Sequence, residues 1–233
     1  MLLAIDTATS AIGAAVHDGR AVLSSVVHDD ARKHGELLAP AIAEALRLAG
    51  VDRAELSTVV CGVGPGPFTG LRVGVVTAQV LAHALGLPTP HGLCSLDALA
   101  HAVVGQHEGE LLVATDARRK EVYWAHYLVG PDGARRLAGP DVARAADLPN
   151  ELRTLPVAGR GALLYPEALA HPLTGAPLDV DPGQLADLAV RLREGGRPDP
   201  GPGLLAPEPL YLRRPDAVAT VAVPGTGTGG AQR

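Results

Sequence analysis

Apolar residues run from Leu2 to Ile5 and stop at Asp6, a short buried strand closed by a carboxylate. Ala11 to Val16 and Ala21 to Val27 predict two further strands, with Asp18-Gly19 as their hairpin turn. The period then changes. From Lys33 to Ala49 the apolar positions Leu37, Leu38, Ala41, Ile42, Ala45, Leu46 and Ala49 fall at offsets of three and four. That is one helical stripe, and Gly50 ends it. Thr58 to Cys61 predicts a strand, followed by a turn rich in glycine and proline and a second helix over about Phe68 to Leu85. Pro88 to Leu93 predicts a strand, and Ser95 opens a helix through Val104 as its N-cap.

A second unit opens at Leu111 with another apolar run ending in Asp116, and Glu121 to Val129 reads as its hairpin partner. Leu112-Val-Ala-Thr-Asp116 lies over Leu2-Leu-Ala-Ile-Asp6, which points to a duplicated strand-Asp-turn-strand opening. Arg135 to Pro182 reads as irregular, Gln184 to Arg193 as a short helix, and Arg197 to Pro209 as a linker. The expected organisation is an α/β chain with a first unit over 1–105, a reduced second unit over 106–204, a return segment over 205–217 and a disordered tail over 218–233.

The helix from Phe68 differs from the first helix. Leu71, Val73, Val75, Val76, Ala78, Val80, Leu81, Ala82, Ala84 and Leu85 surround nearly its whole circumference. A helix apolar all round needs burial all round. Gly74, Ala78 and Ala82 form a small-residue row at spacing four that admits a neighbouring helix. The expectation is half of an inter-subunit helix bundle formed with the helix from Lys33 to Ala49.

Composition narrows the function classes. The 233 residues are 47% hydrophobic and 19% charged, which reads as globular. A formal net charge of −5 argues against an autonomous nucleic-acid binder. Cys61 and Cys94 read as buried thiols of a reducing compartment. With neither a secretory signal nor a bilayer-length apolar run, the expected location is the cytoplasm. No pair among the nine histidines is four apart and no C-x-x-C occurs, so no sequence-local metal site is expected. There is no G-x-S-x-G elbow either.

The turn Gly62-Val-Gly-Pro-Gly-Pro-Phe-Thr-Gly-Leu-Arg-Val-Gly74 has two readings. It is a phosphate cradle at a helix N-terminus, or a strand-to-helix turn whose glycines allow close packing. It lacks the Gly-Lys-Ser/Thr ending, and Pro67 stands where a third glycine would complete G-x-G-x-x-G. Thr69 is a candidate cap for the helix. Asp6 and Asp116 likewise have two readings: a pair facing one cleft and holding magnesium through waters, or acceptors of hydrogen bonds from their own turns.

Four segments carry a family resemblance. Asp6-Thr-Ala-Thr9, Gly64 to Gly74, Asp116-Ala-Arg-Arg-Lys-Glu-Val-Tyr123 and Pro209 to Ala217 together resemble the TsaB (YeaZ) family. Family members usually carry serine where this chain has Pro67. The resemblance implies the actin-like ATPase (ASKHA) fold, two ribonuclease-H-like domains with the second reduced. It implies a non-catalytic, cytoplasmic subunit in the formation of N6-threonylcarbamoyladenosine on tRNA, in which TsaC makes the activated intermediate and TsaD transfers the group. Such a subunit pairs with TsaD as a heterodimer, supports recruitment of the ATPase TsaE, forms a homodimer when alone, and meets tRNA only through the complex. The interface residues expected on this basis are Leu38, Ile42, Ala45, Gly74, Ala78, Val80 and Ala82. Asp6, Thr7, Gly64, Gly66 and Asp116 are candidates for a vestigial nucleotide site. No cofactor is required by this chain under that reading, with ATP or ADP at the partner interface left open. The alternative is a nucleotide-binding phosphotransferase of the same superfamily, with Asp6 and Asp116 at magnesium.

Overall fold

In a computed structural model describing residues 1–30, 33–195 and 203–213, strand β1 (Leu2–Asp6) is central to a five-stranded sheet. All five of its residues are buried, and their side chains alternate between the two faces. It pairs antiparallel with β2 (Ala11–His17), which pairs antiparallel with β3 (Val22–Asp29). On its other side it runs parallel to β4 (Thr58–Gly64), which runs parallel to β5 (His91–Cys94). The order is β3-β2-β1-β4-β5.

The second sheet repeats this plan. Strand β6 (Gly109–Asp116) pairs antiparallel with β7 (Glu121–Gly130), β7 with β8 (Gly133–Arg144), and β6 runs parallel to the two-residue β9 (Val157–Ala158). Its order, β8-β7-β6-β9, is the first four positions of the first sheet. Asp6 and Asp116 therefore close the equivalent central strands, as the duplicated opening predicts. This is the doubled ribonuclease-H-like architecture of the actin-like ATPase superfamily, with the second copy reduced. Strand β8 occupies part of the segment whose sequence reads as irregular. Its residues, Gly-Ala-Arg-Arg-Leu-Ala-Gly-Pro-Asp-Val-Ala-Arg, have no sustained alternation; pairing with β7, through register shifts near Trp124 and His126, makes it a strand.

Helices α1 (His34–Ala49) and α2 (Phe68–Ala84) cover one face of the first sheet. Gly50 ends α1 in the left-handed region (φ 64°), its N–H donated to the Arg47 carbonyl. The other face is covered by α3 (Ser95–His101) and by α6 (Pro182–Gly195), and the short α4 (Asn150–Arg153) and α5 (Gly161–Leu164) belong with the second sheet. Thus α6, counted with the second unit in the sequence, lies on the first sheet. One apolar core runs through Leu2, Leu93, Leu96, Leu99, Val113, Tyr127 and Leu185, joining the two sheets through α3 and α6. Residues 196–202 and 214–233, including the tail expected over 218–233, lie outside the described residues.

The burial of α1 and α2 corrects the expected interface. Leu38, Ile42, Ala45, Gly74, Ala78 and Ala82 point into the chain's own core against Leu3, Ile5, Val59 and Cys61. The small-residue row brings the backbone of α2 close to the sheet and admits no second helix from outside. Of the seven residues, Val80 alone is exposed, at 61%. Aspartate at Ala78 would therefore bury an unpaired charge and destabilise the chain by about 3 kcal/mol or more.

Candidate functional site

The glycine turn is shaped around the end of β1. A Cβ on Gly62 would lie 1.7 Å from Asp6 Oδ2, one on Gly66 2.3 Å from the Ala8 carbonyl oxygen, and one on Gly74 2.4 Å from Thr7 Oγ1. Three glycines of one motif thus accommodate three consecutive residues of the other. The Thr7 hydroxyl donates to the Gly70 carbonyl at 2.7 Å, tying the turn after β1 to the first turn of α2. These glycines give their space to the chain itself, while Pro67, Thr69 and Gly70 at the start of α2 line the cleft. Thr69 does not cap α2; Pro67 holds the N-cap position and no side chain caps it.

Asp6 is 1% exposed and does not reach the cleft between the sheets. Its Oδ1 accepts the Ala8 N–H at 2.8 Å and its Oδ2 accepts the Ser95 hydroxyl at 2.7 Å. Ser95 accepts in turn from the Gly64 N–H at 3.2 Å. Ser95 is therefore not the N-cap of α3, a place taken by Cys94. Burial raises the Asp6 carboxyl from 3.8 to about 6, outweighing its two hydrogen bonds. A folded value above the unfolded one means stability that is full below about pH 4 and is lost as pH rises through 6. Asp97 is raised to about 6 by burial in the same way. His101 opposes them, since burial lowers its value and disfavours its charged form at acid pH. Asp6→Asn should therefore lose about 1–2 kcal/mol less stability than the parent between pH 5 and pH 7.5. Urea denaturation at the two pH values checks this, and equal losses would contradict it.

Asp116 does line the cleft, but it is paired. Its Oδ1 accepts the Arg118 N–H at 2.7 Å, and its Oδ2 lies 3.0 Å from the Arg118 guanidinium. Across the cleft, Arg160 reaches both Asp179 at 2.6 Å and Asp29 at 2.8 Å, which clasps the two halves together. Tyr123 adds a bond across the halves, donating to the Gly66 carbonyl at 3.2 Å. The remaining cavity is about 180 Å³, smaller than the few hundred Å³ typical of a nucleotide or drug-sized ligand. Its walls include the buried Thr115, whose hydroxyl has no protein partner. The candidates Asp6, Thr7, Gly64 and Gly66 come together in one buried knot, and Asp116 stands apart from them in the cleft. Among the described residues no group of three His, Cys, Asp or Glu side chains converges as a metal site. Cys61 and Cys94 are free and buried, and burial pushes both thiols up to about 12.

The outward face of α2 carries the exposed apolar surface. Phe68, Val76 and Val80 are 46%, 48% and 61% exposed, and Arg72 lies over the Phe68 ring at 5.3 Å. Spaced four apart, Phe68, Arg72, Val76 and Val80 form one stripe. Tyr211 stacks on Phe68 with ring centroids 5.0 Å apart, and the Gln79 amide donates to the Pro207 carbonyl at 2.8 Å, so the return segment borders the stripe. Leu48 of α1 is also exposed. Among the described residues no helix is long and apolar enough to cross a membrane.

Several residues of these arrangements have roles that no local pattern signals. Ser95, Arg160 and Tyr123 act through partners far along the chain, and so does the buried triad in which Asp97 accepts from Tyr127 at 2.7 Å and Arg136 at 3.2 Å. His101, four residues after Asp97 on α3, pairs with Asp187 instead and gives no clue to that triad.

Comparison with known proteins agrees with this picture. The family model for TsaD, tRNA N6-adenosine threonylcarbamoyltransferase, matches residues 21–181. An uncharacterised protein of Mycobacterium tuberculosis is 44% identical over 93% of both chains. The tRNA threonylcarbamoyladenosine biosynthesis protein TsaB of Escherichia coli is 35% identical over 128 residues, 54% of each chain. Among solved structures, YeaZ from Pseudomonas aeruginosa superposes with a TM-score of 0.71 at 27% identity, covering 90% of this chain and 99% of that one.

Proposed function

Because the chain belongs to the TsaB (YeaZ) family, within the wider family of the TsaD threonylcarbamoyltransferase model, we propose that it is the non-catalytic subunit required for threonylcarbamoyladenosine formation on tRNA. In this reading it binds the transferase subunit TsaD, supports recruitment of TsaE, and works in the cytoplasm. The observation that carries the reading is the stripe Phe68, Val76 and Val80, with Tyr211 beside it: apolar surface on the face of α2 that the chain's own core leaves open. The expected partner face moves accordingly from the buried small-residue row to this outward stripe. The same stripe serves self-association when the partner is absent, and ATP or ADP, where bound, sits at the partner interface.

The phosphotransferase alternative has less support. Asp6 is sealed in its own hydrogen bonds, the glycine turn is filled by Thr7 and Ala8, and the cleft is clasped by Arg160. The test is reconstitution with TsaC, TsaD, TsaE, threonine, bicarbonate, ATP and unmodified tRNA. Modified nucleoside should accumulate over many turnovers only when this chain is added. Equal modification without it would remove the assignment.

A further inference from the structure

The hairpin between β6 and β7 is held in an uncommon backbone state. Arg118, Arg119 and Lys120 have φ of 61°, 54° and 64°, three consecutive side-chain-bearing residues in the left-handed region. L-residues enter this region at a steric cost, usually singly, and usually as glycine, asparagine or aspartate. Here all three are long cations. The turn is held by the Asp116 carboxylate on the Arg118 N–H, by Ala117 N–H to the Glu121 carbonyl, and by Glu121 N–H to the Arg118 carbonyl. Backbone strain of this kind persists where the surroundings enforce it, and it marks candidate functional segments.

The charges around the hairpin are not all balanced. Asp116 is taken by Arg118, and Glu121 is taken by Arg213. Arg144 sits opposite Glu121 in the β7–β8 register, yet the Glu121 carboxylate is engaged elsewhere. Lys120 and Arg144 are both exposed, and among the described residues neither has an acid within ion-pair distance. They line a groove of about 670 Å³ that Arg153, Tyr165, Asp147 and Glu167 also line. Tyr165 faces both regions: burial and the Asp116 charge raise its hydroxyl pKa, and Arg118 opposes them.

We propose that this groove, between the strained hairpin and Tyr165, binds the phosphodiester backbone and one base of an RNA strand. Lys120 and Arg144 meet successive phosphates, and the Tyr165 ring supplies a stacking wall. Asp147 and Glu167 are placed to accept from the sugar hydroxyls and base amino groups that a nucleotide carries beside its phosphates. The net charge of −5 confines such contact to this local patch, so it assists a complex that holds the RNA elsewhere and is not an independent RNA site. The proposal rests on the tRNA reading above.

The experiment measures binding of unmodified tRNA to the complex assembled with TsaD and TsaE, by fluorescence anisotropy between about 50 and 200 mM salt. Lys120→Gln/Arg144→Gln should weaken binding about tenfold at about 0.1 M salt and reduce the slope of log affinity against log salt by about 2. Tyr165→Leu, which keeps apolar packing, should weaken it about fivefold with the slope unchanged. Unchanged affinity and slope in the double variant, with the complex intact, would overturn the proposal and leave the functional reading standing. Failure of the folded double variant to assemble would also overturn it, and would make the groove a protein-docking site. Failure of the parent complex to modify tRNA at all would instead fault the functional reading.

Discussion

Gly62→Ala should lower the unfolding free energy by about 3 kcal/mol or more, the largest stability loss expected from one added methyl group in this chain. The new Cβ would lie 1.7 Å from Asp6 Oδ2 and 2.7 Å from Ser95 Oγ, both fully buried. Neither atom can retreat without breaking the bond between them, so the Asp6 carboxylate loses its hydroxyl donor or β1 and β4 move apart. Overpacking costs about 1–3 kcal/mol, and a buried charged group left without its donor adds about as much again. Gly35→Ala is the contrasting case. It lies in α1, no atom falls within 4 Å of its added Cβ, and the change should be neutral or stabilising by up to about 1 kcal/mol. Urea midpoints of the two variants check this, and similar stability for Gly62→Ala and the parent would refute the account of the glycine turn.

Val76→Asp combined with Val80→Asp should weaken binding of TsaD about a hundredfold, roughly 2.7 kcal/mol, while the chain's own stability changes by less than about 0.5 kcal/mol per site. Both side chains are about half exposed or more, so the isolated chain loses little contact. In a complex both charges would be drawn out of water, and Arg72, four residues before Val76, can meet at most one of them. Ala78 falls between these two valines in the sequence but points to the opposite side of α2, where it is fully buried. Ala78→Asp should therefore destabilise the chain itself, whether or not a partner is present. Titration calorimetry with TsaD, paired with thermal melts, separates the two. Parent-like affinity of the double variant would remove the stripe from the interface.

The two aspartates show how much was legible in the sequence. Leu2 to Asp6 and Leu112 to Asp116 each combine an apolar run with a terminal carboxylate, a local pattern that needs no long-range information. It yields both central strands and the duplication. It cannot tell their fates apart: Asp6 is sealed by Ser95, 89 residues away, and Asp116 opens onto the cleft beside Arg118. In α2, composition alone requires burial on most sides, but not which side meets the chain's own sheet. Its small residues suggest room for a foreign helix, and they are instead the room α2 needs to approach β1 and β4.

Local spacing encodes the strand and helix periods, the glycine-dependent turn at Gly62 to Gly74, and the end of α1 at Gly50. Which groups lose water, and to which partner, is set by the folded chain. The glycines close on Asp6, Thr7 and Ala8, α6 crosses back to the first sheet, and Val76 and Val80 remain outside while Ala78 is enclosed. Burial and hydrogen bonding between distant segments depend on the three-dimensional arrangement of the whole chain, and no window of neighbouring residues contains it.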